Sequence, residues 1–154
     1  MFDTVVLATD GSKSAERAIT VALDLAERFD ATVHALYVVD ETEIDAAPDR
    51  VRDDLETALE DSARDALKEI TSRAAGVQTA VREGTPATEI CGYVEAVDAD
   101  LVATGTRGRH GEHAFLLGSV AEAVVRRSPV PVLTARQLEA DEGEDAPAPN
   151  GLGA

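Results

Sequence analysis

Residues 101–135 read LVATGTRGRHGEHAFLLGSVAEAVVRRSPVPVLTA. The segment opens on a short apolar run, Leu101–Thr104, of strand character. A glycine-rich loop follows, from Gly105 to Gly118. Ser119 and Glu122 stand at the spacing of a capping box, which predicts that the serine hydroxyl and the glutamate carboxylate satisfy the first free amides of a helix running to about Ser128. Pro129 ends that helix, and Val130–Ala135 (VPVLTA) reads as another buried strand. Strand, helix and strand in this order form a crossover unit, whose two strands must be parallel.

The same alternation extends upstream. Thr4–Thr9 (TVVLAT) is a strand, and Asp10-Gly11-Ser12 breaks it. Ala15, Ala18, Ile19, Ala22, Leu23 and Ala26 then keep helical spacing. Thr32–Val39 (TVHALYVV) is the second strand, and Asp40–Asp49, polar and containing Pro48, reads as a loop. Val51, Leu55, Leu59, Ala63, Ala66, Leu67 and Ile70 form the stripe of a long helix closed at Gly76, where a left-handed residue is wanted. Val77–Arg82 is the third strand. Thr85 and Pro86 are suited to open a helix, whose apolar face is Ala87, Ile90, Cys91, Val94 and Val97. The whole predicts an α/β three-layer sandwich around a five-stranded parallel sheet. Pro131 lacks an amide to donate, which puts the last strand at an edge.

The remaining 18 residues, QLEADEGEDAPAPNGLGA, hold five acids, no base, two prolines and three glycines. They cannot bury enough apolar surface to offset the entropy of ordering, so the chain is divided into a folded domain, 1–136, and an acidic, disordered tail, 137–154.

The 154 residues carry 30 acids against 14 lysines and arginines, a formal charge of -16. No basic face suited to duplex DNA is visible, no run is long enough to cross a bilayer, and the N-terminus lacks a basic signal region. A single cysteine, Cys91, demands no oxidising compartment; a cytoplasmic location is expected. Only two residues are lysine. With so few lysines and so much acid, self-repulsion is large in dilute buffer and screened at high salt, which points to a halophilic host.

Ligands of open parallel sheets bind beyond the carboxyl ends of the strands, where strand order reverses. Two loops suit that place: Thr9-Asp10-Gly11-Ser12 after strand one, and the segment following Thr104. Glycines in the second let backbone amides approach a ligand and form an anion nest, and the helix opening at Gly118-Ser119 adds free amides and a dipole. Arg107, Arg109, His110 and His113 make this loop a basic exception in an acidic chain. A flexible, merely solvated loop is the competing reading. There is no GxxxxGK[ST] and no GxGxxG after strand one, which disfavours the P-loop and nicotinamide-type sites. His110 and His113 lack a third partner for zinc, and Cys91 and His34 read as structural residues.

Gly105, Gly108, Gly118 and Ser119 fit the spacing G-x2-G-x9-G-S. With VVLATDGS near the start, ALYVVD at the end of strand two and LLGSVAEAVVRRSPVPVL, residues 1–136 resemble the ATP-binding subgroup of the universal stress protein (UspA-like) family. The resemblance implies a Rossmann-like fold of the adenine nucleotide alpha hydrolase-like kind with strand order 3-2-1-4-5. It implies that Asp10 accepts hydrogen bonds from the ribose and that the Val38 backbone meets the adenine. Gly105 would lie against the ribose, Gly108 would let the loop pass the phosphates, and Gly118, Ser119 and Val120 would bind them. The candidate nucleotide contacts are thus Thr9, Asp10, Val38, Thr104, Gly105, Arg107, Gly108, Arg109, Gly118, Ser119 and Val120. Mg²⁺ would be held through the phosphates of ATP, and no residue is assigned a catalytic or direct metal role. Ala8 stands where some ATP-binding relatives have proline. A homodimer through the apolar last strand is also implied. The functional expectation is a stress-response regulatory module with at most slow ATP hydrolysis. An ATP-hydrolysing or phosphotransfer enzyme and a scaffold that binds no nucleotide are the alternatives.

Overall fold

The computed structural model describes residues 2–106 and 117–136. Alternating β-branched runs and amphipathic stretches give, in order, β1 (Thr4–Thr9), a 3-10 turn (Lys13–Ala15), α1 (Glu16–Phe29), β2 (Thr32–Asp40), α2 (Glu41–Ala46), α3 (Asp49–Arg73), β3 (Gln78–Gly84), α4 (Pro86–Ala96), β4 (Leu101–Gly105), α5 (Ser119–Arg127) and β5 (Val132–Ala135). The strands form one sheet in the order β3-β2-β1-β4-β5, and each neighbouring pair is parallel. β5 lies at an edge, as Pro131 requires.

Strand pleating divides the core in two. Leu7, Ala35, Tyr37, Val39 and Ala103 face a layer built from α1 and α3, with Ile19, Ala22, Leu59, Ala63 and Ile70 against them. Val6, Ala8, Leu36 and Val102 face the opposite layer, packed by Ile90, Tyr93 and Val94 of α4 and Val124 of α5. A strand covered on both sides has no polar face, which is why β1 and β4 read as continuous apolar runs. β3 is different. It alternates in sequence because most of its side chains remain exposed at the other edge of the sheet.

Several elements depart from the sequence reading. Asp40–Asp49 is not all loop: Glu41–Ala46 is helical. The Asp40 carboxylate accepts from the Thr42 amide at 2.9 Å and hydroxyl at 2.6 Å, and Ile44 is buried, so a cap and one apolar anchor stabilise a single short helix. The capping box is displaced as well. Gly118 is the N-cap of α5, Ser119 is its first helical residue, and no side chain bonds the cap. Glu122 instead turns outward to Arg126, 2.6 Å away. Gly76 does adopt a left-handed φ of 76°, but α3 ends three residues earlier, at Arg73. Val51, expected on the apolar stripe, is exposed. Cys91 is half-buried rather than core. The tail from residue 137 lies outside the described residues.

Candidate functional site

The chain leaves β1 toward β2 on one side and enters β4 on the other, so the order reverses between β1 and β4. Their pairing runs from Val5↔Leu101 to Leu7↔Ala103. β1 continues beyond that point only against β2, as far as Thr9↔Tyr37. The carboxyl ends of β1 and β4 thus part, and a cleft of about 300 Å³ opens there, at the lower end of the size range of small-molecule sites.

Every candidate nucleotide contact among the described residues lines this cleft: Thr9, Asp10, Val38, Thr104, Gly105, Gly118, Ser119 and Val120. Arg107, Gly108 and Arg109, with His110 and His113, lie outside the described residues. The first loop is shaped by local bonds. Thr9 Oγ1 accepts from the Gly11 amide at 3.1 Å, and Asp10 Oδ1 accepts from the Ser12 amide at 2.9 Å. Gly11 has a φ of 78°, a conformation that glycine adopts without penalty. Asp10 therefore shapes its own turn while lining the cleft.

Across from it stands the start of α5. The Glu122 amide makes the first helical bond, to the Gly118 carbonyl at 2.9 Å. The amides of Ser119, Val120 and Ala121 precede that bond, so the helix gives them no partner. All three residues line the cleft, and the dipole of α5 adds partial positive charge at the same place. The Gly118 amide is used differently: it donates to the Thr106 carbonyl at 2.6 Å, tying the two ends of the intervening segment together.

Gly105 has a packing role that its motif does not announce. A Cβ there would lie 2.7 Å from the Ser14 carbonyl oxygen and 3.2 Å from Ala15 Cα. The bare glycine lets the 3-10 turn after β1 seat directly on β4, which holds the Asp10 loop beside the α5 N-terminus.

The sequence reading missed the far wall. Leu36, Pro86 and Ile90 supply apolar surface, and Asp40 and Glu43 supply carboxylates. A signal for them existed. Pro86 opens a helix at the carboxyl end of β3, and Asp40 ends β2, so both belong to the same rim of the sheet. The cleft is thereby polarised, with backbone donors at α5 and acceptors near α2. Among the described residues no lysine, arginine or histidine lines it, and no group of three His, Cys, Asp or Glu side chains is placed to hold a metal ion. His34 lies away from the cleft, with Nδ1 2.9 Å from the Tyr93 hydroxyl.

The profile of the universal stress protein family matches residues 1–136. The chain belongs to that family. Among curated universal stress proteins, MJ0531 of Methanocaldococcus jannaschii is 35% identical over 142 residues, covering 89% of this chain and 84% of that one. The solved structure of hypothetical protein MJ0577 superposes with a TM-score of 0.79 at 26% identity, over 90% of this chain and 99% of that one. A universal stress protein in complex with cAMP has a TM-score of 0.66 at 25% identity, over 89% and 98% of the two chains. The two solved structures share with this universal stress protein the Rossmann-like α/β fold.

Proposed function

We propose that this universal stress protein binds an adenine nucleotide in the cleft between β1 and β4, with ATP and its Mg²⁺ as the physiological ligand. The observation that carries the proposal is that the start of α5, where the helix itself gives the amides of Ser119, Val120 and Ala121 no partner, lines the same cleft as Asp10. Amides at a helix start suit phosphate; a carboxylate opposite them suits ribose hydroxyls. The apolar wall of Leu36, Pro86 and Ile90 suits a base whose polar edge meets the backbone at Val38. The structural relative in complex with cAMP supports the same ligand class. Gly105, Thr9 and Thr104 shape the floor, and Arg107, Gly108 and Arg109 are further candidate contacts of the nucleotide. Magnesium would be held through phosphate oxygens.

The protein works in this proposal as a cytoplasmic regulatory module whose conformation or partner choice follows occupancy. Phosphoryl transfer needs a group that positions the nucleophile and a cation on the transferring phosphate; among the described residues the cleft wall carries hydroxyls and carboxylates but no lysine, arginine or histidine, and hydrolysis is slow in this reading. The β5 edge, half-buried throughout, would pair with a second copy as a homodimer, since an open apolar edge needs cover. The acidic surface is adapted to molar salt.

Mass spectrometry of the supernatant after denaturing protein purified without added nucleotide tests the ligand directly, followed by titration with Mg-ATP. Bound or tightly binding adenine nucleotide is expected, with affinity reduced at least tenfold by Asp10→Ala and by Gly118→Val. A protein that is empty and ignores Mg-ATP in molar KCl overturns the proposal in favour of the scaffold.

A further inference from the structure

His34 stands near the amino end of β2, away from the cleft, and its Nδ1 lies 2.9 Å from the hydroxyl of Tyr93 on α4. The two rings meet edge to face with centroids 5.7 Å apart. Tyr93 is 8% exposed, and the Arg82 guanidinium of β3 sits over its ring, 5.2 Å from the centroid. The strand neighbours of His34 are Val6 on β1 and Gln78 on β3, neither charged. Tyr93 is therefore the titratable group that meets the imidazole from α4, and Arg82 of β3, which pairs with Val38 further along the strand, lies over the Tyr93 ring. The turn of α4 just before Tyr93 carries Ile90, which lines the cleft.

We propose that His34 and Tyr93 form an acid-sensitive latch that seats α4, and with it one wall of the cleft, on the sheet. In the closed state the Tyr93 hydroxyl donates to an unprotonated Nδ1 of a neutral imidazole. When a proton arrives on Nδ1, that nitrogen stops accepting and starts donating. The phenol proton then loses its acceptor in a buried position. That loss favours moving Tyr93 off β2. Burial of the imidazole acts in the same sense, holding its pKa below the usual histidine value. A histidine whose folded pKa is lowered is proton-poor relative to the unfolded chain. The stability it contributes is complete above the unfolded value, about 6.5, and is lost as pH falls from there toward the folded value. The latch is a property of α4 and β2, independent of what the cleft holds.

The test is a proton NMR titration of the His34 ring in molar KCl, joined to amide exchange along α4. The wild-type midpoint is expected below about 6.5, and Tyr93→Phe should raise it, because the lost hydroxyl favoured the neutral ring. Amides of α4 should lose protection as pH falls below about 6.5, after correction for intrinsic exchange, by up to tenfold per pH unit for a single proton. His34→Gln keeps an acceptor for the hydroxyl without titrating, and its α4 protection should be flat relative to the wild type. A wild-type midpoint at or above about 6.5, or a midpoint that Tyr93→Phe leaves in place or lowers, overturns the latch. So does equal acid sensitivity of α4 in His34→Gln and wild type, since the carboxylates and other histidines common to both would then be responsible.

Discussion

Replacing Gly105 by alanine adds one methyl group at the point where β4 meets the turn after β1. The ideal Cβ falls 2.7 Å from the Ser14 carbonyl oxygen and 3.2 Å from both Ser14 C and Ala15 Cα. Carbon and oxygen in even a favourable close contact sit about 3.3 Å apart or more, so the shortfall is about 0.6 Å. Neither side yields easily. Gly105 is fully enclosed in β4, in register with Ala135 of β5. Ser14 belongs to a turn closed by the Ala15 amide on the Ser12 carbonyl at 3.2 Å. The opposing atoms are backbone, so no rotamer change relieves them. Overpacking of this kind costs about 1–3 kcal/mol, and the rigid partners put Gly105→Ala at the upper end. For a chain of this size that is a fall of about 5–10 °C in Tm, read by circular dichroism in molar KCl and confirmed by urea unfolding. Gly92 supplies the control, because a Cβ there meets nothing within 4 Å and the residue sits inside α4. Gly92→Ala should stabilise by about 0.5–1 kcal/mol. If Gly105→Ala falls within about 0.5 kcal/mol of the wild type while Gly92→Ala behaves as expected, the claim that Gly105 is there to seat the turn is wrong.

Asp100 holds the start of the sheet, its Oδ2 accepting from the Asp3 and Thr4 amides at 2.8 and 3.0 Å; Asp100→Ala should cost about 1–3 kcal/mol in urea unfolding, and an unchanged midpoint would deny those bonds a role. Burial pushes the Cys91 thiol up, Arg127 pulls it part of the way back, and Glu95 adds to the rise. Alkylation by iodoacetamide should therefore lag behind a free cysteine peptide at neutral pH and gain with each step toward alkaline pH; a rate equal to the peptide's at neutral pH would contradict this. With a net charge of -16, Tm should climb by on the order of 5 °C or more from dilute buffer to molar KCl as screening shortens the reach of like charges, and a salt-independent melt would remove the basis for salt adaptation.

The alternation of apolar runs and helical stripes made all five strands and the four longer helices readable, because burial on both faces of a parallel sheet leaves a strong signature. Strand order was not in that signature: it followed from the spacing of Gly105, Gly108, Gly118 and Ser119 through family resemblance. The short helix Glu41–Ala46 was illegible because a single apolar residue, Ile44, has no periodicity. The cap of α5 was misplaced by one residue because Ser119 and Glu122 have the right types at the right interval, while the Gly118 amide is committed to Thr106. At the site, glycines and Asp10 stood out by chemistry, whereas Leu36, Pro86 and Ile90 look like any core residue until the rim of the sheet is traced. Gly105 was legible as a glycine that matters, but its tight neighbour is Ser14, far along the chain, and contacts across such distances have no local mark.

The bond between the Gly118 amide and the Thr106 carbonyl has an engineering consequence. It fixes both ends of the intervening segment, 107–117, to one point on the rim, next to Gly105 on one side and Ser119 on the other. Segment length is thereby uncoupled from the placement of the flanking elements, and doubling such a span costs only about 0.6 kcal/mol in closure entropy. The pair is a socket: a place where a foreign peptide, a reporter or a longer natural variant could be spliced into the chain while β4 and α5 keep their positions.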